Sequence, residues 1–140
     1  MGGAVGDGYV HGVVAVVERD GRFLMVRRAP GVVAPGAWCF VGGAVEPGES
    51  QAAALVREFA EEVGGRIRPV ACVWEDEQPE KRLRLYWWRA ELDDTPLRPN
   101  PREVVEIAWL TPAEIRRTPG VLEGNLRFLD AYRPPGGRSD

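Results

Sequence analysis

The chain has 140 residues, with 21 acidic against 18 basic side chains and one histidine, for a formal net charge of −3 at neutral pH; that length fits a single domain. A balance so close to neutral, with no basic run longer than the pairs Arg27-Arg28 and Arg116-Arg117, excludes a general nucleic-acid binder, which needs a concentrated positive face. No purely apolar stretch is longer than that from Val13 to Val17, where a membrane span needs about 20 residues, and Met1 to Gly8 has neither a basic start nor an apolar core. Neither a membrane span nor a signal peptide is expected, and Cys39 and Cys72, with no thiol or histidine at metal-ligand spacing, read as reduced thiols of a cytoplasmic protein.

Glycine and proline cluster in three places. Gly2, Gly3, Gly6 and Gly8 predict a flexible head over residues 1–8, Pro134 to Gly137 a flexible tail over 134–140, and the domain is expected between residues 9 and 133. The third cluster, five Gly and three Pro between Ala29 and Gly48, is a long structured connection of the kind that carries function.

In chain order, Val10 to Glu18 and Arg22 to Arg28 are apolar, β-branched runs around Asp20-Gly21, which predicts an antiparallel pair joined by a tight turn. Trp38 to Val45 reads as a strand interrupted by Gly42-Gly43. Gln51 to Val63 has strong helix formers, with Ser50 as N-cap and Gly64-Gly65 as the stop. Val70 to Trp74 and Leu83 to Leu92 read as strands joined by an acidic turn from Glu75 to Glu80, and Val104 to Leu110 as a further strand. Thr111-Pro112-Ala113-Glu114 combines a capping box with proline at the first helical position, and Glu123 to Tyr132 is a last amphipathic helix. Strands, one helix, more strands and then helices predict an α+β fold, a mixed sheet sandwiched between helices.

On a helical wheel Val56, Phe59, Ala60 and Val63 fall on one side of the Gln51–Val63 helix, while Glu58, Glu61 and Glu62 fall on the other. The plain reading is a solvated face with Arg57 paired to Glu61. The loop that leads into the helix points elsewhere. Gly42-Gly43 allow close backbone approach, and Glu46 and Glu49 add acids, so a glycine loop runs into a carboxylate-bearing helix. Such clusters suit hard divalent cations, above all Mg²⁺, which keeps several waters and is completed by substrate phosphates. A metal there would neutralise a diphosphate and activate a water, so no Ser/His/Asp set is needed.

The same residues carry a family pattern: Gly43, five residues, Glu49, seven residues, Arg57-Glu58, Phe59, Ala60, Glu61-Glu62, Val63, Gly64. This run resembles the box of the Nudix hydrolases, and Trp38 to Gly43 is similar to the family's approach to it. Val41 replaces a frequent proline and Gly65 an aliphatic residue, which implies a less rigid loop and a less well packed helix exit. The resemblance implies an α/β/α sandwich. It casts Glu58, Glu61, Glu62 and the carbonyl of Gly42 as magnesium ligands, Mn²⁺ substituting, with Arg57 orienting the glutamates, Glu49 anchoring the loop, and Gly43 and Gly64 as fixed glycines. Glu58 is the first choice of general base, with Glu103, Glu106 and Glu75-Asp76-Glu77 left open.

Arg27 or Arg28, ending a strand just before the loop, is placed to reach a substrate phosphate. Trp74, Tyr86, Trp87, Trp88 and Trp109 are core residues or a stacking face for a base, and His11 on an apolar strand reads as structural. The implied activity is a Mg²⁺-dependent pyrophosphohydrolase for a nucleoside diphosphate linked to a further group, a nucleoside triphosphate first. The alternatives are ADP-ribose or a nucleotide sugar, for which Pro79 is a faint hint, and a non-catalytic nucleotide-binding module; the protein is expected as a monomer or homodimer. Residues 43 to 65 hold five Glu and one Arg, so the acidity is local: without cations the site repels phosphates, and with them it attracts them.

Overall fold

The structure, a computed structural model, describes residues 6–133. The expected tail and most of the expected head lie outside them. The elements are β1 (Val10–Val16), β2 (Glu18–Arg19), β3 (Arg22–Arg28), β4 (Trp38–Cys39), β5 (Gly42–Ala44), α1 (Gln51–Val63), β6 (Ile67–Gln78), β7 (Leu83–Leu92), β8 (Val104–Leu110), α2 (Pro112–Arg117) and α3 (Glu123–Ala131). One sheet runs β5-β1-β7-β6, with β1 and β7 parallel and the other neighbours antiparallel. In the second, β3 pairs β8 along its length and pairs β2 and β4 in succession, all antiparallel. No described helix is long and apolar enough to cross a membrane.

Alternation along the strands builds two cores. Val13, Ala15 and Val17 join Leu24 and Val26 beneath Ala54, Leu55, Phe59 and Val63 of α1. Val14, Val16, Phe23, Met25 and Trp87 point the other way, onto Ile115 of α2 and Phe128 and Leu129 of α3. Trp87 is 1% exposed and stacks on Phe128 with centroids 4.6 Å apart, ringed by Phe40 and Trp74. Helices therefore cover both faces of a mixed-sheet core, which is the expected α/β/α sandwich.

Local signals place the helices where the sequence predicts them. Ser50 Oγ accepts the Ala53 N–H at 3.0 Å, Gly64 closes α1 at φ 70°, and Thr111 and Glu114 form both halves of the capping box.

Four expectations are corrected. Asp20 and Gly21, at φ 54° and 76°, do make a tight turn, but it pairs only Glu18-Arg19 with Arg22-Phe23; Val10–Val16 crosses to the other sheet. Gly42 and Gly43 do not interrupt a strand: they form β5 and pair with Val14 and Val13, while the break falls at Phe40-Val41. The acidic segment Glu75 to Gln78 is strand rather than turn, because β6 follows β7 as far as Gln78↔Leu83 before a 3-10 turn over Pro79–Lys81; Pro79 is explained by that turn. On α1 the buried stripe is Ala54, Leu55, Phe59, Glu62 and Val63, so Val56 and Ala60 face outward and Glu62 faces in.

The helix exit is also better packed than the sequence implies. Gly65 is buried, and a Cβ there would stand 2.6 Å from Leu97 Cδ2 and 2.6 Å from Phe59 Cε2. Leu97 thus fills the space an aliphatic residue 65 would take. Gly65→Ile is expected to cost about 1–3 kcal/mol in denaturant unfolding through overpacking, and less when combined with Leu97→Ala; an equal cost in both backgrounds contradicts this packing.

Candidate active site

The buried stripe of α1 carries one carboxylate, Glu62, and Glu58 lies one turn before it, half-buried at the edge of the stripe. Glu62 is 8% exposed and the Glu58 side chain 15%. β5 passes so close beneath them that a Cβ on Gly43 would collide with the Glu58 carboxyl group, and one on Gly42 with the Val13 carbonyl, so both glycines are required by contact. Burial pushes the Glu62 carboxyl above the usual carboxylate range, and the neighbouring charges of Glu58 and Glu103 push it further. Burial also raises Glu58, against the pull of Arg57.

Arg57 organises the acids around it. Its Nε and Nη2 donate to the two oxygens of Glu49 at 2.7 and 2.9 Å, a bidentate fork, and Nη2 also donates to the Ala44 carbonyl at 3.0 Å. Nη1 donates to Glu58 Oε2 at 3.0 Å and Glu61 Oε1 at 3.3 Å. Glu49 accepts the Glu46 N–H as well, at 3.0 Å, and is pulled down to about 2, chiefly by its hydrogen bonds to Arg57. The chain Glu49–Arg57–Glu58 therefore ties the glycine loop to the helix and aims one carboxylate.

Arg28, Gly42, Gly43, Glu58, Glu62 and Glu103 line one cleft of about 160 Å³. Glu103 enters it from the segment before β8, where its Oε2 accepts the Asn100 amide at 3.2 Å. Glu61 is not in the cleft; its side chain is 53% exposed and lies beside Arg57. Of the two arginines, Arg28 lines the cleft, whereas Arg27 lies 3.7 Å from Glu106 and both are exposed. Asp76 is held by Arg127 at 2.9 Å and Glu77 lies 3.6 Å from Arg84, both on β6 and away from the cleft. His11 is satisfied by Tyr86 at 3.0 Å and Asp7 at 3.1 Å. Trp88 donates to Gln51 at 2.8 Å and Arg19 stacks over Trp109, so neither ring is in the cleft. Sequence reasoning missed Asn100, whose signal is a polar residue between Pro99 and Pro101 just ahead of a strand.

Among the described residues no three acidic, histidine or cysteine side chains converge as a ready-made ion site. Glu58 is engaged by Arg57, and Glu103 is bound to Asn100. The donor set itself, hard oxygens around a cavity with a glycine floor, fits a hard divalent cation.

A family model described as the NUDIX domain matches residues 8–132. The chain belongs to the Nudix hydrolases. It is 30% identical to the CTP pyrophosphohydrolase of Escherichia coli K12 over 122 residues, 86% of this chain and 88% of that one. It is 32% identical to the NAD-capped RNA hydrolase NudC of Deinococcus radiodurans over 84% of its own length, but spans only 43% of NudC. The solution structure of the Escherichia coli ORF135 protein superposes with a TM-score of 0.71 at 29% identity, covering 88% of this chain and 87% of that one.

This Nudix hydrolase acts on pyrophosphate bonds. Its Arg57–Glu49 clamp sets a pH dependence of folding. Because the folded Glu49 carboxyl sits below its ordinary value of 4.5, its contribution to stability is present above about pH 4.5 and is lost as pH falls toward 2. Melting temperature against pH should therefore fall less steeply over that range in Glu49→Gln than in the parent; identical slopes contradict the clamp.

Proposed function

We propose that this Nudix pyrophosphohydrolase hydrolyses nucleoside triphosphates with Mg²⁺, for which Mn²⁺ can substitute. The observation that carries the reading is that Glu58, Glu62 and Glu103 line one cleft with Arg28, over a floor of Gly42 and Gly43. Glu58, Glu62 and the Gly42 carbonyl are the first ligands for the cation, and Glu103 the acid outside the family box that faces them. Glu61, one helical turn from Glu58 at the rim, is the ligand the present arrangement supports least. When bound, Mg²⁺ supplies neutralisation of the diphosphate and activation of the attacking water.

The chain's own residues supply the rest. Arg57 binds only Oε2 of Glu58, leaving Oε1 to accept the proton of the water that attacks phosphorus as the anhydride P–O bond breaks. Arg28 is the cation that meets a substrate phosphate. Glu49, through its fork to Arg57, fixes the direction of Glu58 without touching the reacting atoms.

The substrate is proposed from likeness to the CTP pyrophosphohydrolase, which this chain matches over most of both lengths, whereas it spans less than half of NudC. A nucleotide sugar or ADP-ribose is the competing substrate, and a non-catalytic module the competing role; the complete set of box carboxylates speaks against the latter.

A panel of nucleoside triphosphates, dinucleotides and nucleotide sugars, assayed with Mg²⁺ in the parent, Glu58→Gln, Glu62→Gln and Glu61→Gln, tests this. The triphosphates, CTP among them, should turn over fastest. Glu58→Gln should lower kcat about 10²–10⁴-fold, Glu62→Gln should abolish turnover at moderate Mg²⁺, and Glu61→Gln should cost least. Unchanged turnover in Glu62→Gln removes the metal site, and faster hydrolysis of nucleotide sugars removes the triphosphate reading.

A further inference from the structure

We infer that Asn100 is a positioning residue for the reaction: it holds the Glu103 carboxylate in the cleft and locks it to the end of α1 that carries Glu62. The inference rests on the reading of that cleft proposed above.

Every polar group of Asn100 is engaged, and the bonds run in two directions. Toward α1, its N–H donates to the carbonyl of Glu62 at 2.8 Å, next to the Arg98 N–H donating to the Val63 carbonyl at 2.6 Å. This approach depends on Gly64, where a Cβ would stand 3.0 Å from the Arg98 carbonyl oxygen. Toward β8, the Asn100 carbonyl accepts the N–H groups of Glu103 and Val104, each at 2.9 Å, and the side-chain oxygen accepts the Arg102 N–H at 3.1 Å. The remaining group, Nδ2, donates to Glu103 Oε2 at 3.2 Å. Pro99 and Pro101 stiffen the segment, since proline fixes its own φ and restricts the residue before it.

One residue thus ties together the two elements that bring carboxylates to the cleft, holding the α1 backbone at Glu62 and the side chain of Glu103. The chemistry suits the task. A neutral amide directs a carboxylate without cancelling its charge, whereas Lys or Arg in the same place would compete with a cation for Glu103.

A local turn accounts for the bond to Arg102 but not for Nδ2, and that separates the two roles. In Asn100→Ser the hydroxyl still accepts from the turn, if more weakly, and the backbone bonds persist, but the side chain is too short to reach Glu103. Asn100→Thr serves as a second variant of the same kind.

The test is direct binding of Mn²⁺, followed by the electron paramagnetic resonance signal of the free ion, on the full chain and on Asn100→Ser, Asn100→Thr, Glu103→Gln, Glu62→Gln and the double variant Asn100→Ser/Glu103→Gln. Melting in chelator shows that each variant is folded. Asn100→Ser and Asn100→Thr should weaken Mn²⁺ binding about 10-fold, the usual effect of losing an outer partner of a ligand. Asn100→Ser should add nothing once Glu103 is Gln. The inference is overturned by unchanged Mn²⁺ binding in Asn100→Ser, or by an equal loss with and without Glu103. If Glu103→Gln has no effect while Glu62→Gln does, Asn100 has no ligand to position, yet the cleft reading stands. If neither substitution alters Mn²⁺ binding, the cleft reading itself fails.

Discussion

Glu62 in the buried stripe of α1 and Glu58 at its edge face the sheet, where a carboxylate without a partner costs several kcal/mol relative to water. Glu58 is partly compensated by Arg57, while among the described residues Glu62 has no ion pair and leans on Glu58. Two acids sharing one such place are unfavourable as a pair of charges unless one keeps its proton, as the raised Glu62 carboxyl does, or a cation enters. The neighbouring features accommodate this one. Gly43 has no side chain because the Glu58 carboxyl occupies that space, and Glu49 grips Arg57 with two bonds so that the guanidinium is held where it faces Glu58.

The sandwich supplies the rigidity this requires. α1 is seated by Phe59 and Val63 on strands from both sheets, and its C-terminal end is pinned by the segment before β8 through Gly64, Arg98 and Asn100. The glycine strand β5 and the helix α1, neighbours in sequence, meet the distant approach to β8 at one cleft. The stacked Trp87 and Phe128 on the opposite face take no part in the site but hold the sheet against α2 and α3.

What the sequence makes legible is what local chemistry decides. Ser50, Gly64 and the Thr111–Glu114 box mark helix boundaries because capping involves residues three or four apart. The Arg57-Glu58 and Glu61-Glu62 pairs stand out because their spacing is fixed within one helix. What is not legible depends on partners distant in the chain. The pairing of β1 with β7, the length of β6 and the identity of Gly42-Gly43 as strand follow from tertiary neighbours. The orientation of α1 is hidden for another reason. A wheel that sends charge outward assumes that burial is refused to glutamate, and here Glu62 lies in the apolar stripe with Glu58 half-buried at its edge, while Val56 and Ala60 are turned out. Asn100 and Glu103 acquire their place only when the end of α1 and the start of β8 come together.

Thermal unfolding at pH 8, with chelator and with excess Mg²⁺, in the parent and in Glu62→Gln, measures whether the buried carboxylates are held for a cation. The expected result is that Mg²⁺ raises the melting temperature of the parent, as any ligand of the native state must, and that Glu62→Gln melts no lower than the parent in chelator and gains nothing from Mg²⁺. A variant that melts lower without metal and is still stabilised by Mg²⁺ to the parent's extent would contradict it, making Glu62 an ordinary support of the fold.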